Sequence, residues 1–306
     1  MAKETFDAQV EQAMAAGEYA HMRPVIEKEL LHYDILHSLD RHRLLDRLVF
    51  QGGTCLRLIH GAPRFSEDLD FVGGSDFATD ELQSLRECIE RDIGSRYGLE
   101  VTVKPPKAVK ADAGERGIRV DKWQISIITA PERPDIPRQR IKVEVAAIPA
   151  WTRETHALRR NYDFLPDGYE DILVPTESLD EIMADKLVSL VNCRRFVRHR
   201  DIWDLRWLMQ KGAQPDRALI EHKIEDYHVE HWPEWAGEMR RQLPEIIHGE
   251  DFRNTLTRFI PVDVQARTLD REGFLEHLLR STDQLLQRAM HLIEGQGAES
   301  DEDYRI

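Results

Sequence analysis

The sequence predicts an α+β fold, with a mixed sheet in its first half and an all-helical domain after it. Two observations predict this. Up to about residue 150, short runs with two-residue alternation interleave with segments of helical spacing. Beyond Pro175 almost every segment carries helical periodicity alone. At 306 residues the chain also exceeds one average domain, so two compact units are expected. The boundary falls near residues 150–175, giving domains over 1–170 and 171–294 and a disordered acidic tail over 295–306.

Residues 24–42 place Val25, Leu30, Ile35 and Leu39 at helical spacing. Residues 48–51 read as a short strand running into Gly52-Gly53-Thr54, and a helix over 55–60 stops at Gly61. In residues 66–72 polar and apolar positions alternate, so a strand with one buried face is expected, closed by Gly73-Gly74. A helix over 79–97 and a strand over 99–103 follow. Residues 104–117, rich in Pro, Lys and Ala, read as an exposed loop, and residues 122–129 and 140–147 as two further strands. Helices are expected at 178–193, 200–211, 216–226, 234–243 and 266–294.

Composition narrows the function classes. No apolar run approaches the roughly 18 residues that a membrane span needs, and the first 16 residues carry Glu4, Asp7 and Glu11 rather than the layout of a signal peptide. Cys55, Cys88 and Cys193 are odd in number and widely spaced, which suits neither a disulfide framework nor a metal knuckle. A cytoplasmic protein without a membrane partner is expected. The net charge of −14 argues against a general nucleic-acid binder. Residues 194–206, however, hold five arginines against Asp201 and Asp204, so one basic face remains compatible with an RNA acceptor.

The chemistry concentrates where Phe50-Gln51-Gly52-Gly53-Thr54 is followed, after thirteen intervening residues, by Asp68-Leu69-Asp70-Phe71. Alternation sends Asp68 and Asp70 to one face and Leu69 and Phe71 to the core. Two carboxylates side by side repel unless a cation joins them, and hard divalent ions suit such a pair, Mg2+ above all and Mn2+ in its stead. Two such ions roughly 3.5–4 Å apart can activate an attacking oxygen and steady a leaving pyrophosphate. Gly52, Gly53 and Thr54 open a helix, where close backbone approach and free amides favour a triphosphate. In Ile141-Lys142-Val143-Glu144-Val145 the apolar residues share one face and Lys142 and Glu144 the other. Beside the Asp-x-Asp strand, Glu144 becomes a third metal ligand and Lys142 a counter-charge; alone, this is an ordinary solvated strand face.

Lys186 falls within the apolar stripe of residues 178–193. It either reaches a partner or a triphosphate, or extends its ammonium to water. Asp201 and Asp204 lie three apart on the next helix and could orient Lys186, act as a base towards the acceptor, or pair with an arginine; Asp201 could also be an N-cap. Arg194, Arg195, Arg198 and Arg200 either grip phosphates or solvate the helix.

These pieces together resemble the AbiEii/AbiGii nucleotidyltransferase toxins of bacterial type IV toxin–antitoxin systems. The resemblance rests on Phe50-Gln51-Gly52-Gly53-Thr54-Cys55-Leu56-Arg57, Arg64-Phe65-Ser66-Glu67-Asp68-Leu69-Asp70-Phe71, Lys142-Val143-Glu144-Val145, Asp185-Lys186-Leu187 and Arg200-Asp201-Ile202-Trp203-Asp204-Leu205. It implies a polymerase-β-like nucleotidyltransferase domain followed by a helical domain, magnesium, NTP as substrate, and growth arrest unless a cognate antitoxin opposes it. Some members look like enzymes acting on the 3′ end of tRNA. The family's functional positions map to Gly53, Thr54, Asp68, Asp70, Lys186, Asp201 and Asp204. Ser66 matches a serine that in some relatives is a regulatory phosphorylation target, though it could also only cap the strand or hydrogen-bond Asp68. Two rival readings stand beside this one: transfer to a small molecule or protein hydroxyl, and a nucleotide-binding module acting through a partner protein.

Overall fold

The computed structural model describes residues 5–15, 19, 21–107, 118–133 and 136–295. The expected acidic tail, apart from Gly295, and most of the expected loop over 104–117 lie outside the described residues. The chain divides into two compact units. Of the described residues, one unit holds those up to Glu177 together with Arg258–Val264; the other holds Ser178–Thr257 and those from Gln265 to Gly295.

The first unit contains α1 (Phe6–Ala15), α2 (Arg23–Arg41), β1 (Val49–Gln51), α3 (Gly52–Leu58), β2 (Leu69–Val72), α4 (Leu85–Tyr97), β3 (Val101–Lys104), β4 (Val120–Ile127), β5 (Gln139–Ala146), β6 (Glu154–Ala157) and β7 (Leu173–Thr176). The strands form one mixed sheet in the order β3-β4-β5-β2-β1-β7-β6. The β2–β5 and β1–β7 pairs are parallel and the others antiparallel. The alternation read in the sequence sets the faces. Leu69, Phe71, Ile125, Ile141, Val143 and Val145 are all buried, each removing apolar area worth about 1.5–3 kcal/mol. Phe50 stacks on Phe71 with ring centroids 4.9 Å apart.

Helix α2 departs from a simple amphipathic reading, because Glu27, Glu29, His32, Asp34 and Ser38 are buried as well as its apolar residues. Each finds a partner, as burial demands. Glu27 accepts from Gln139 Nε2 at 2.7 Å and Thr129 Oγ1 at 3.0 Å. Glu29 takes the Arg57 guanidinium through both oxygens, at 2.7 and 3.0 Å. Asp34 accepts from Tyr169 and Tyr97 and pairs with Arg96 at 2.8 Å. The His32 Nε2–H donates to the Glu67 carbonyl at 3.0 Å, just before the Asp-x-Asp segment.

Burial pushes the His32 imidazole down to about 4. In the unfolded chain the ring titrates near its ordinary value of about 6.5. As pH falls through this window the unfolded state binds the proton first, so the contribution is complete above about pH 6.5 and is lost towards pH 4. The expected result is a melting temperature that falls from pH 7 to pH 4.5, with a shallower fall in His32→Gln. Equal slopes in the two proteins would contradict this role for His32.

The second unit contains α5 (Leu179–Asn192), α6 (His199–Gln210), α7 (Arg217–Asp226), α8 (Trp232–His248), α9 (Glu250–Thr257) and α11 (Phe274–Glu294), while α10 (Val262–Arg267) straddles the division. Its core gathers Leu187, Leu190, Trp203, Leu205, Ile220, Trp232, Leu243, Leu278 and Leu286. Glu181 on α5 and Lys223 on α7 form a fully buried ion pair at 2.7 Å.

Several boundaries differ from the sequence expectation. The helix expected over 266–294 is two, α10 and α11, because Gly273 adopts a left-handed conformation (φ +77°) at the N-cap of α11. The helix expected over 234–243 runs as Trp232–His248, passing through Pro244. The segment over 79–97 is a 3-10 turn at Thr79–Leu82 followed by α4. The strand expected over 66–72 begins only at Leu69, because the Asp68 carbonyl accepts from the Thr54 hydroxyl and its carboxylate from the Lys142 backbone.

Candidate functional site

The first cluster of candidate residues is built on β1, α3, β2 and β5. Strand β1 ends at Gln51, and the chain enters α3 through Gly52 with φ +76°, a conformation that costs a side-chain-bearing residue about 1–2 kcal/mol. The turn also needs room. A Cβ on Gly52 would lie 2.8 Å from Asp70 Oδ2, and one on Gly53 would lie 2.5 Å from Arg64 Nη2 and 2.9 Å from Ser66 Oγ. The glycine pair is thus faced by a carboxylate at its first residue and by a guanidinium and a hydroxyl at its second. Thr54 ties the turn to β2 by donating its hydroxyl to the Asp68 carbonyl.

Register then aligns the acids. Asp70 stands opposite Glu144 across the parallel β2–β5 pair, with Leu69 opposite Val143 and buried on the other face. Asp68, one step before the strand, meets Lys142: the Lys142 backbone N–H donates to Asp68 Oδ1 at 3.0 Å, and its Nζ lies 3.2 Å from Oδ2. The same ammonium is 3.7 Å from Glu144 Oε1, and Lys122 on β4 reaches Glu144 Oε2 at 3.3 Å. Partial burial would lower the Lys142 pKa, but Asp68, Glu144 and Asp70 outweigh it and hold the ammonium charged.

Asp68, Asp70 and Glu144 therefore share one sheet face. Among the described residues, however, no three His, Cys, Asp or Glu side chains close into a metal-holding group. The Lys142 ammonium stands between Asp68 and Glu144 instead. The donor chemistry fits a hard divalent ion, since the three acids offer only oxygen and already draw a cation.

The second cluster belongs to the helical unit. Lys186 on α5 does not extend to water. Its side chain is 6% exposed, and its Nζ lies 3.0 Å from Asp201 Oδ1 and 2.8 Å from Asp204 Oδ2, both on α6. Asp201 also takes the Arg198 guanidinium. Burial would raise the Asp201 pKa, but Arg198 and Lys186 together hold it well below the carboxylate range. Asp201 sits in the first turn of α6 and is not its N-cap, a position that Arg198 occupies. Asp185, beside Lys186, accepts from the Tyr227 hydroxyl and is used within the unit.

Each proposed residue thus lies in one of two clusters: Gly52, Gly53, Thr54, Ser66, Asp68, Asp70 and Glu144 in the first unit, and Lys186, Asp201 and Asp204 in the second. The sequence reading gave Arg64 no role, although its side chain is buried against the glycine turn and donates to the Phe65 carbonyl at 2.7 Å. The available signal was a lone arginine two residues before Ser66 in an otherwise acidic segment.

Substituting the first glycine tests the turn. Gly52→Ala adds strain of about 1–2 kcal/mol and pushes the Asp70 carboxylate away. Catalytic activity should fall by more than tenfold while the melting temperature drops by only a few degrees. Full activity in a folded Gly52→Ala protein would remove the turn from the functional site.

An acid pair set beside a glycine turn on a mixed sheet suits an enzyme that handles nucleoside triphosphates, and comparison with known proteins identifies the class as nucleotidyltransferase. The family model described as nucleotidyl transferase AbiEii toxin, type IV TA system, matches residues 34–289, and the chain belongs to that family. The solved structure of MenT4, a nucleotidyltransferase toxin of Mycobacterium tuberculosis, is similar over 96% of both chains, with 18% identity and a TM-score of 0.58. That likeness shows the shared fold. The JHP933 protein of Helicobacter pylori aligns over 89% of this chain and 94% of its own, at 19% identity and a TM-score of 0.42. No curated protein matches the chain in sequence. Among the described residues no helix is long and apolar enough to cross a membrane.

Proposed function

We propose that this nucleotidyltransferase moves a nucleotide from an NTP to the 3′ end of tRNA in the cytoplasm, as a toxin opposed by a cognate antitoxin protein. The observation that carries the reading is the array of Asp68, Asp70 and Glu144 on one sheet face, with Asp70 directly against the Gly52 turn. In the reaction the acceptor hydroxyl attacks the α-phosphate, the bond to the β-phosphate breaks, and pyrophosphate leaves. Asp68 and Asp70, with Glu144 beside them, are the residues that would hold Mg2+ or Mn2+. A divalent ion there would supply Lewis acidity towards the phosphate oxygens.

The chain's own groups do the positioning. The missing side chains of Gly52 and Gly53 make room for Asp70 at the first and for Arg64 and Ser66 at the second, Thr54 fixes the turn to Asp68, and the backbone amides of the turn would meet the triphosphate. Ser66 supplies a hydroxyl over Gly53. On the family resemblance we keep Lys186 as a functional group of the helical unit, with Asp201 and Asp204 as positioning residues that hold its ammonium. Of the five arginines of residues 194–206, Arg198 is taken by Asp201, Arg194 pairs with Glu238 at 2.6 Å and Arg206 is buried, so the choice of an RNA acceptor rests on the family resemblance.

The test is incubation with each α-labelled NTP, total tRNA and a cell lysate, with Mg2+ or Mn2+, followed by separation of products by size. Label in tRNA is the expected outcome. Label confined to protein or to small molecules would replace the acceptor, and no label under any condition would sink the enzymatic reading.

A further inference from the structure

We infer that Lys142 is a built-in placeholder cation, which occupies the Asp68 side of the acid array until a divalent ion displaces it. The inference rests on the proposed reading of Asp68 and Asp70 as metal ligands and deepens it. Three observations carry it. First, both Asp68 carboxylate oxygens are engaged by one residue, Oδ1 by the Lys142 backbone N–H at 3.0 Å and Oδ2 by its Nζ at 3.2 Å. Second, the same ammonium reaches Glu144 at 3.7 Å, so it stands between two acids of the array. Third, the Lys142 side chain is 48% exposed, which leaves a solvated path by which the ammonium can swing away. The Lys186 ammonium, buried between two aspartates, lacks such a path.

The two contacts to Asp68 differ in consequence. The backbone donation is independent of the side chain and keeps Asp68 oriented whether or not the ammonium is present. The Nζ contact is a part-exposed ion pair of the kind worth at most about 1 kcal/mol, strong enough to neutralise the array and weak enough to yield to a divalent ion. Once displaced, the ammonium lies beside the acids, where it can meet a phosphate oxygen of the incoming NTP. Lys142 would then oppose binding of the bare metal and assist binding of the nucleotide.

The test is titration of the whole protein with Mn2+, read from the electron paramagnetic resonance of free Mn2+, together with equilibrium binding of an NTP that lacks a cleavable α–β bond. Lys142→Met keeps the methylene stem and the backbone donor. It should bind Mn2+ about three- to fivefold tighter than the parent, the factor that a contact of up to about 1 kcal/mol implies, yet bind the nucleotide severalfold more weakly. Lys122→Met removes the same charge from the neighbouring strand, where Lys122 pairs with Glu144 and, among the described residues, not with Asp68, and should change Mn2+ binding less.

If the parent protein binds no Mn2+, or Asp70→Asn binds it equally well, the metal-ligand reading itself falls, and the placeholder with it. If the parent binds Mn2+ through Asp70 but Lys142→Met binds it no tighter, the placeholder alone is overturned. A gain in Lys122→Met equal to that in Lys142→Met also overturns it, since net charge would then explain the effect.

Discussion

Asp70→Asn should lower nucleotide transfer on the order of a thousandfold while leaving the protein folded. The size of the effect follows from the role proposed for Asp70 as a carboxylate that holds a divalent ion, because losing preorganised charge stabilisation commonly costs two to three orders of magnitude in rate. Stability should move the other way. Asp70 lies opposite Glu144 in register and two residues after Asp68, so like charges share one face and part of their repulsion is relieved by the substitution. The melting temperature of Asp70→Asn should equal or exceed that of the parent. A variant that loses activity by melting would fail this prediction, as would one that retains more than about a tenth of the rate.

Glu181→Ala carries the largest expected effect on stability. Glu181 and Lys223 are both fully buried and 2.7 Å apart, joining α5 to α7. Removing the carboxylate strips the ammonium of that counter-charge in a site where hydration cannot replace it, which typically costs about 3–5 kcal/mol. For a unit of this size the melting temperature should fall by about 10 °C, measurable by calorimetry. The double variant Glu181→Leu/Lys223→Met should recover most of the loss, since apolar replacement of a whole buried pair is often neutral or stabilising. If the single and double variants melt alike, the ion pair is not what the site depends on.

Much of the placement of the candidate residues was legible in the sequence because it follows from local rules. Alternation placed Asp70 opposite the apolar Leu69 and Phe71, and the same rule on β5 separated Lys142 and Glu144 from Ile141, Val143 and Val145. The helical stripe on α5 flagged Lys186 as an ammonium in an apolar setting, and the aspartates that meet it were already among the alternatives for Asp201 and Asp204.

What remained hidden depends on contacts distant in sequence. The polar face of α2 reads as solvated, yet Glu27, Glu29 and Asp34 are buried because Gln139, Arg57, Tyr97 and Tyr169 arrive from far along the chain. Strand β7 was not anticipated because Pro175 interrupts a four-residue run and proline cannot donate to a ladder. Lys142 was expected as a counter-charge beside the Asp-x-Asp strand, but its match to Asp68 in particular depends on a parallel register between β2 and β5, which neither strand encodes alone. Arg64 illustrates the same limit. Its position over Gly53 arises from the chain folding back after α3, and periodicity carries no trace of it.

The most direct measurement follows two labels through one reaction, with the NTP carrying label at the α-phosphate in one sample and at the γ-phosphate in another. Nucleotide transfer at the Asp68–Asp70 face predicts α label in the acceptor, γ label in released pyrophosphate, and neither product with Asp70→Asn. Appearance of γ label in the acceptor, or α label transferred undiminished by folded Asp70→Asn, would contradict it.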